Sequence, residues 1–262
     1  IQDQISLWSY SGDPNPDHFR YFWPTDWAKR NRQQWQDFTK STHFTKTGVT
    51  CLTCHTFHGQ WAENQLRLPR EQLCAECHTG TGLAKRPNVE LFTGSAMEKA
   101  GTTCVDCHMP KIGYRTTATR SVSQHWDTTS HTFMVATPLL TLQYGVRNSC
   151  DQCHQPGGKS KLTLTTEAAQ SMLQGRQEQI RALLDRAQQA ITKGEATLAR
   201  VSRSRGAGRA ASAEAALGKA KGNVSLVLLD GSMGFHNGAK AEELLKAAAA
   251  LANQATRLAS GR

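Results

Sequence analysis

The chain has 262 residues, a formal net charge of +10, 38% apolar residues and a mean hydropathy of −0.52. That length suffices for one or two domains with buried cores. Its longest apolar runs, such as 224–229 and 244–251, fall far short of the roughly 20 residues a membrane span needs, so no transmembrane segment is expected in this chain. Regularly spaced apolar residues in the second half exclude a disordered chain.

Composition changes along the sequence. All eight Pro and all eight Cys precede residue 157, and five of six Trp precede residue 62. Three segments follow: an aromatic-rich stretch (1–49), a Cys/His-rich region (50–160) and an Ala-, Gln- and Leu-rich helical region (161–262). The first contains His18 and His43. The second contains four pairs of cysteines, each followed at once by histidine: Cys51-Leu-Thr-Cys54-His55, Cys74-Ala-Glu-Cys77-His78, Cys104-Val-Asp-Cys107-His108 and Cys150-Asp-Gln-Cys153-His154.

This spacing has a mechanical reason. Two thiols one short turn apart add to the two vinyl groups on one edge of a haem, and the next side chain then offers an imidazole to the iron. Zinc knuckles, a thioredoxin-like pair or a disulfide framework would account for paired cysteines, but not for a histidine after all four pairs. Four covalently attached c-type haems are therefore expected, with His55, His78, His108 and His154 as proximal ligands. The charge reading changes with them. Two propionates per haem offset most of the positive excess, so nucleic acid is not an expected partner.

Six histidines lie outside the motifs, against four distal seats on the irons. Bis-histidine ligation is the economical expectation, with His43, His58, His131 and His236 as distal ligands and His18 and His125 in reserve. His58 is too close to His55 to reach the far side of the same haem, so it points to a neighbouring one. Methionine is the competing ligand type, but Met109 directly follows His108 and cannot reach the opposite face of that haem.

The back third carries three helical stripes at steps of three, four and seven. They are Leu173–Ile180–Leu184–Ala187–Ile191–Leu198–Val201, then Leu217–Ala220–Val224–Leu228, then Leu244–Ala248–Leu251–Ala255–Leu258. Gly206 and Gly208 separate the first two, Gly231 and Gly234 the last two, and Asn237 is placed to cap the third. The expected fold is mainly α: an irregular, loop-rich domain packed around four haems, then an antiparallel bundle of about three helices.

The run Thr103-Cys-Val-Asp-Cys-His-Met-Pro-Lys111, then Ser130-His-Thr-Phe133, the fourth motif, long helices and Gly234-Phe-His-Asn237 resembles the C-terminal part of pentahaem cytochrome c nitrite reductase. The wider superfamily includes hydroxylamine oxidoreductase and cytochrome c-554. The resemblance spans about residues 100–262. It implies distal-ligand roles for His131 and His236. It does not extend to the catalytic centre. The family's active haem hangs on a CxxCK motif, absent here, and Gly94-Ser-Ala-Met-Glu-Lys-Ala-Gly101 has no histidine where the family has its catalytic one.

The expected function is thus a tetrahaem cytochrome that relays single electrons, an electron carrier more than an enzyme, with no catalytic residue assigned. The alternative is a haem-dependent reductase or oxidase of a small nitrogen or sulfur oxyanion, or an electron-transfer subunit of such a complex. Haem attachment places the protein in the periplasm or outside the cell, and a start at Ile1 reads as a removed signal or missing upstream sequence. Redox proteins (a quinol dehydrogenase, a terminal reductase, other cytochromes) are the expected partners. A homo-oligomer is expected through the long helices, with a filament as its extended form.

Overall fold

A computed structural model describes residues 21–30, 34–58, 63–79, 88–116, 122–201 and 207–261; side chains at 63, 88–89, 114–116, 122–127 and 207 are outside the described set. His18 lies outside the described residues, and His125 is described only as backbone. The architecture is mainly helical, as expected. Among the described residues twelve α-helices occur in the order α1 Gln34–Lys40, α2 Thr42–Thr47, α3 Cys51–Cys54, α4 Arg70–His78, α5 Asn88–Phe92, α6 Ala96–Lys99, α7 Cys104–His108, α8 Pro138–Tyr144, α9 Asp151–His154, α10 Thr166–Arg200, α11 Ala207–Asp230 and α12 Gly238–Ser260. Between α7 and α8 lie two strands, β1 Lys111–Thr116 and β2 Val122–Thr129.

The chain divides into two compact units, Ile1–Cys74 with Thr102–Gln170, and Ala75–Gly101 with Ser171–Arg262. In the first, helices are short and end where the sequence says they must. Ser41 caps α2 by accepting from the Phe44 N–H at 3.2 Å. Pro138 opens α8, where its missing N–H costs nothing, and Gly145 closes it at φ 70°. The buried apolar cluster here is small: Trp23, Trp27, Ile112, Ala136 and Val146. Trp23 Nε1 donates to the Ile112 carbonyl at 3.1 Å, which satisfies its one donor inside that cluster.

The antiparallel hairpin β1–β2 was not anticipated by the helical reading. It pairs Lys111 with Thr129 and Thr116 with Val122, with register shifts between. Its effect is positional. It leaves the third motif and returns the chain to it, so that the Ser130 N–H donates to the Pro110 carbonyl at 3.0 Å.

The second unit is dominated by α10, α11 and α12. The first stripe lies inward as expected, with Ile180, Leu184, Ala187 and Ile191 all buried. The other two need correction. In α11, Leu217, Ala220 and Val224 are buried, but Leu228 is 44% exposed and Val227 takes its inward place. In α12 the buried line runs Ala241, Leu245, Ala248, Ala252, Ala255 and Ala259, while Leu244, Leu251 and Leu258 flank it. Leucine is the bulkier residue, so hydrophobicity favoured the flanking positions. Close packing favours the alanine line, because small side chains let the helices approach. Gly194 has the same cause: a Cβ there would lie 2.9 Å from Leu217 Cδ2. The predicted break at Gly208 is also displaced, since Gly208 is inside α11. Asn237 caps α12 as expected, accepting from the Lys240 N–H at 3.1 Å.

Candidate haem-binding site

The first, third and fourth motifs sit on short helices whose starts are fixed by local polar bonds. For α3, the Thr50 N–H donates to Thr53 Oγ1 at 3.1 Å. For α7, both the N–H and the hydroxyl of Thr103 donate to Asp106 Oδ2 at 2.8 Å, a carboxylate at the positive end of the turn. For α9, buried Asn148 accepts from the Asp151 N–H at 3.0 Å and donates to Thr141 Oγ1 at 2.9 Å. The second motif occupies the end of α4.

The motifs are brought together. Glu71 on α4 accepts from the Cys104 N–H at 3.2 Å. The Cys74 and Cys104 thiols influence one another: Cys74, then burial, pushes Cys104 up, while Cys104 lowers Cys74. The third and fourth motifs are joined by Ser149 Oγ donating to the Cys107 carbonyl at 3.0 Å and Gln152 Nε2 donating to the Asp106 carbonyl at 3.1 Å. Burial, then the neighbouring Cys150, pushes the Cys107 thiol up to about 12, and burial pushes Cys150 up to about 11.

Do these residues fit haem? All eight cysteines are free thiols, with Cys51 the most open and the other seven half-buried. Among the described residues no three of His, Cys, Asp or Glu gather to hold a bare metal ion. The imidazoles supply the sharper test. His55, His108 and His154 direct Nδ1 to the carbonyls of Asn64, Phe133 and Leu162 at 3.1, 3.3 and 2.8 Å. A carbonyl only accepts, so Nδ1 carries the proton and Nε2 keeps its lone pair for a metal. Apolar side chains stand open beside the motifs: Leu52, Phe57, Met134, Leu139, Leu142 and Leu162. Unmasked apolar surface of this extent next to the thiols suits the face of a macrocycle. The residues fit the group.

The candidate distal ligands fall in different settings. His131 directs Nδ1 to the Thr129 carbonyl at 3.2 Å, and burial holds its pKa below the usual histidine value, which keeps the ring neutral. Its ring lies 6.4 Å from that of His55, with 27° between the planes. The segment is held by a carboxylate that sequence reasoning missed. Asp37, buried on α1, accepts from the Ala28 N–H at 2.7 Å, Ser130 Oγ at 2.8 Å and the His131 N–H at 3.3 Å. Burial raises its pKa, partly opposed by those donors. His43 packs its ring 4.4 Å from Phe133. His58 is exposed just beyond α3, and His78 closes α4 half-buried. In the second unit, His236 directs Nδ1 to Asp230 Oδ1 at 2.6 Å and meets Phe92 edge to face at 5.9 Å.

Among the described residues no helix is long and apolar enough to cross a membrane. The cytochrome c552 family model matches residues 75–260, and a doubled CXXCH motif model matches residues 43–82. No curated protein matches the sequence significantly. Similar solved structures include the outer cell wall cytochrome OcwA, with TM-score 0.65 and 24% identity over 89% of this chain and 53% of that one. The octahaem sulfite reductase MccA of Wolinella succinogenes matches with TM-score 0.61 and 16% identity over 87% of this chain and 44% of that one. The cytochrome c nitrite reductase NrfA of Desulfovibrio desulfuricans matches with TM-score 0.48 and 26% identity over 67% of this chain and 33% of that one. This chain thus spans about half the length of OcwA and less of the others. The third and fourth motifs, the hairpin and all three long helices lie within the family match, and the thiols and imidazoles are disposed for covalent haem. The chain belongs to the cytochrome c552 family and is a multihaem c-type cytochrome.

Proposed function

We propose that the protein is a tetrahaem electron relay, with haem attached at Cys51/Cys54, Cys74/Cys77, Cys104/Cys107 and Cys150/Cys153. The single observation that carries this reading is the side-by-side packing of successive motifs: Glu71 of α4 on the Cys104 N–H, then Ser149 and Gln152 on α7. Bound haem supplies an iron that takes up and releases one electron. The chain's own residues hold the attachment points together, fix the ring orientation through Nδ1, and set how much water reaches each site.

His55 and His131 are assigned to one iron. Two metal–imidazole bonds of about 2 Å each, plus the two ring radii, come to roughly the separation of their rings. Their Nδ1 atoms are both committed to carbonyls, which supports ligation through Nε2. His43, His58 and His236 are the remaining candidate distal ligands. With six histidines outside the motifs for four distal seats, no open iron is needed, which favours relay over reduction of an oxyanion. Haem attachment chemistry supports a place outside the cytoplasm, and redox proteins as partners. The long helices are the proposed surface for self-association.

A pyridine haemochrome assay with EPR and potentiometric titration tests this. The expected result is four haems per chain, all low-spin, with silent addition of nitrite or sulfite. A high-spin iron whose spectrum shifts with either anion would favour the reductase reading. The variant H131A is expected to convert one haem to high spin.

A further inference from the structure

Of the imidazoles whose Nδ1 bonds are described, His55, His108, His131 and His154 face backbone carbonyls at 2.8–3.3 Å, whereas His236 faces a carboxylate, Asp230, at 2.6 Å. We propose that Asp230 is a positioning and tuning residue that acts through His236 to hold the iron it caps at a low reduction potential, making that haem a low-potential station of the relay. This rests on His236 being a distal ligand.

The local chain builds the contact. Asp230 is the last residue of α11, and its side chain is 1% exposed. Gly231 at φ 71° and Gly234 at φ 83° turn the chain back, so that a ring six residues on meets the carboxylate. Ser232 completes the loop. Its N–H donates to Asp230 Oδ2 at 3.2 Å, its hydroxyl donates to the same oxygen, and its Oγ accepts from the His236 N–H at 3.0 Å. Phe92 bounds the ring on one side.

The chemistry follows from charge. A carboxylate accepts and does not donate, so Nδ1 carries the proton and Nε2 is the nitrogen with the lone pair. A full negative charge draws that proton further than a carbonyl dipole does. The ring then becomes a stronger donor to a metal at Nε2 and stabilises the ferric over the ferrous form. Two features strengthen the pull. The carboxylate is buried, where charge is poorly screened. It also sits at the C-terminal end of a 24-residue helix, where the macrodipole already opposes an anion. A buried anion in that unfavourable position calls for a compensating cation-like partner, and a metal-bound imidazole N–H is one.

Four holoprotein variants test it. H236A identifies the haem, by turning one low-spin EPR signal high-spin. D230N is expected to keep every haem low-spin and to raise the potential of that same haem. The expected shift is at least tenfold in its reduction equilibrium, about 59 mV for one electron, with the other three moving much less. In an H236A background, D230N is expected to add nothing, because the carboxylate acts through the ring. Unchanged potentials in D230N, or an equal shift in both backgrounds, would overturn the proposal. H236A leaving all haems low-spin with unaltered potentials would instead overturn the ligand assignment beneath it. If D230N does not load haem, S232A carries the test. It removes the hydroxyl donor from Oδ2 while the residue-232 N–H stays, leaves more charge facing Nδ1, and must lower that haem's potential; a rise or no change refutes the idea.

Discussion

The two units stabilise themselves by different means. In the second, seventeen described residues form one buried apolar cluster, most of them alanine or a branched aliphatic on α10, α11 and α12. In the first, the described cluster has five members, and large apolar side chains such as Phe57, at 73% exposure, stand beside the motifs. One unit closes a core with its own side chains. The other has polar bonds at every turn and apolar surface left for a cofactor to cover. The contrast predicts that the first unit draws its stability from cofactor binding, as small domains do that fold only around a metal.

The largest test of that contrast removes the cofactor. Replacing all eight cysteines by alanine is expected to abolish the tertiary signal of the first unit, read from Trp23 and Trp27 fluorescence, while far-UV circular dichroism keeps most of the signal of α10–α12. Loss of both together would refute the contrast. Next comes Leu245→Ala in the bundle, fully buried among small neighbours. It is expected to cost about 3–4 kcal/mol in denaturant unfolding without changing haem spectra. Asp37→Ala sharpens the other side. It strands three donors in the first unit, for a loss of about 2–3 kcal/mol and a partial high-spin signal from the iron assigned to His131. The smallest effect is Asn237→Ala, which removes the α12 cap for about 1 kcal/mol by thermal unfolding.

The attachment chemistry was legible in the sequence because it is local. Two thiols and an imidazole within five residues need no partner from elsewhere, and the long helices announce themselves by period. The supporting groups were not legible. Asp37 serves His131 from 94 residues away, and nothing near Asp37 in the sequence marks it. Asp230 lies close to His236, and Asp230-Gly-Ser-Met-Gly-Phe-His236 carries turn signals, yet only coordinates show which oxygen meets which nitrogen.

By itself, then, the sequence determined the cofactor class, the count of helices in the back third and the cap at Asn237, since each depends on spacing within a few turns. Tertiary structure decided which motifs touch, that a hairpin returns Ser130 and His131 to the third motif, and which line of α12 lies inward. The physical reason is that close packing and ring orientation depend on atoms brought together from distant positions, and the alanine line prevails over the leucines only once another helix is pressed against it.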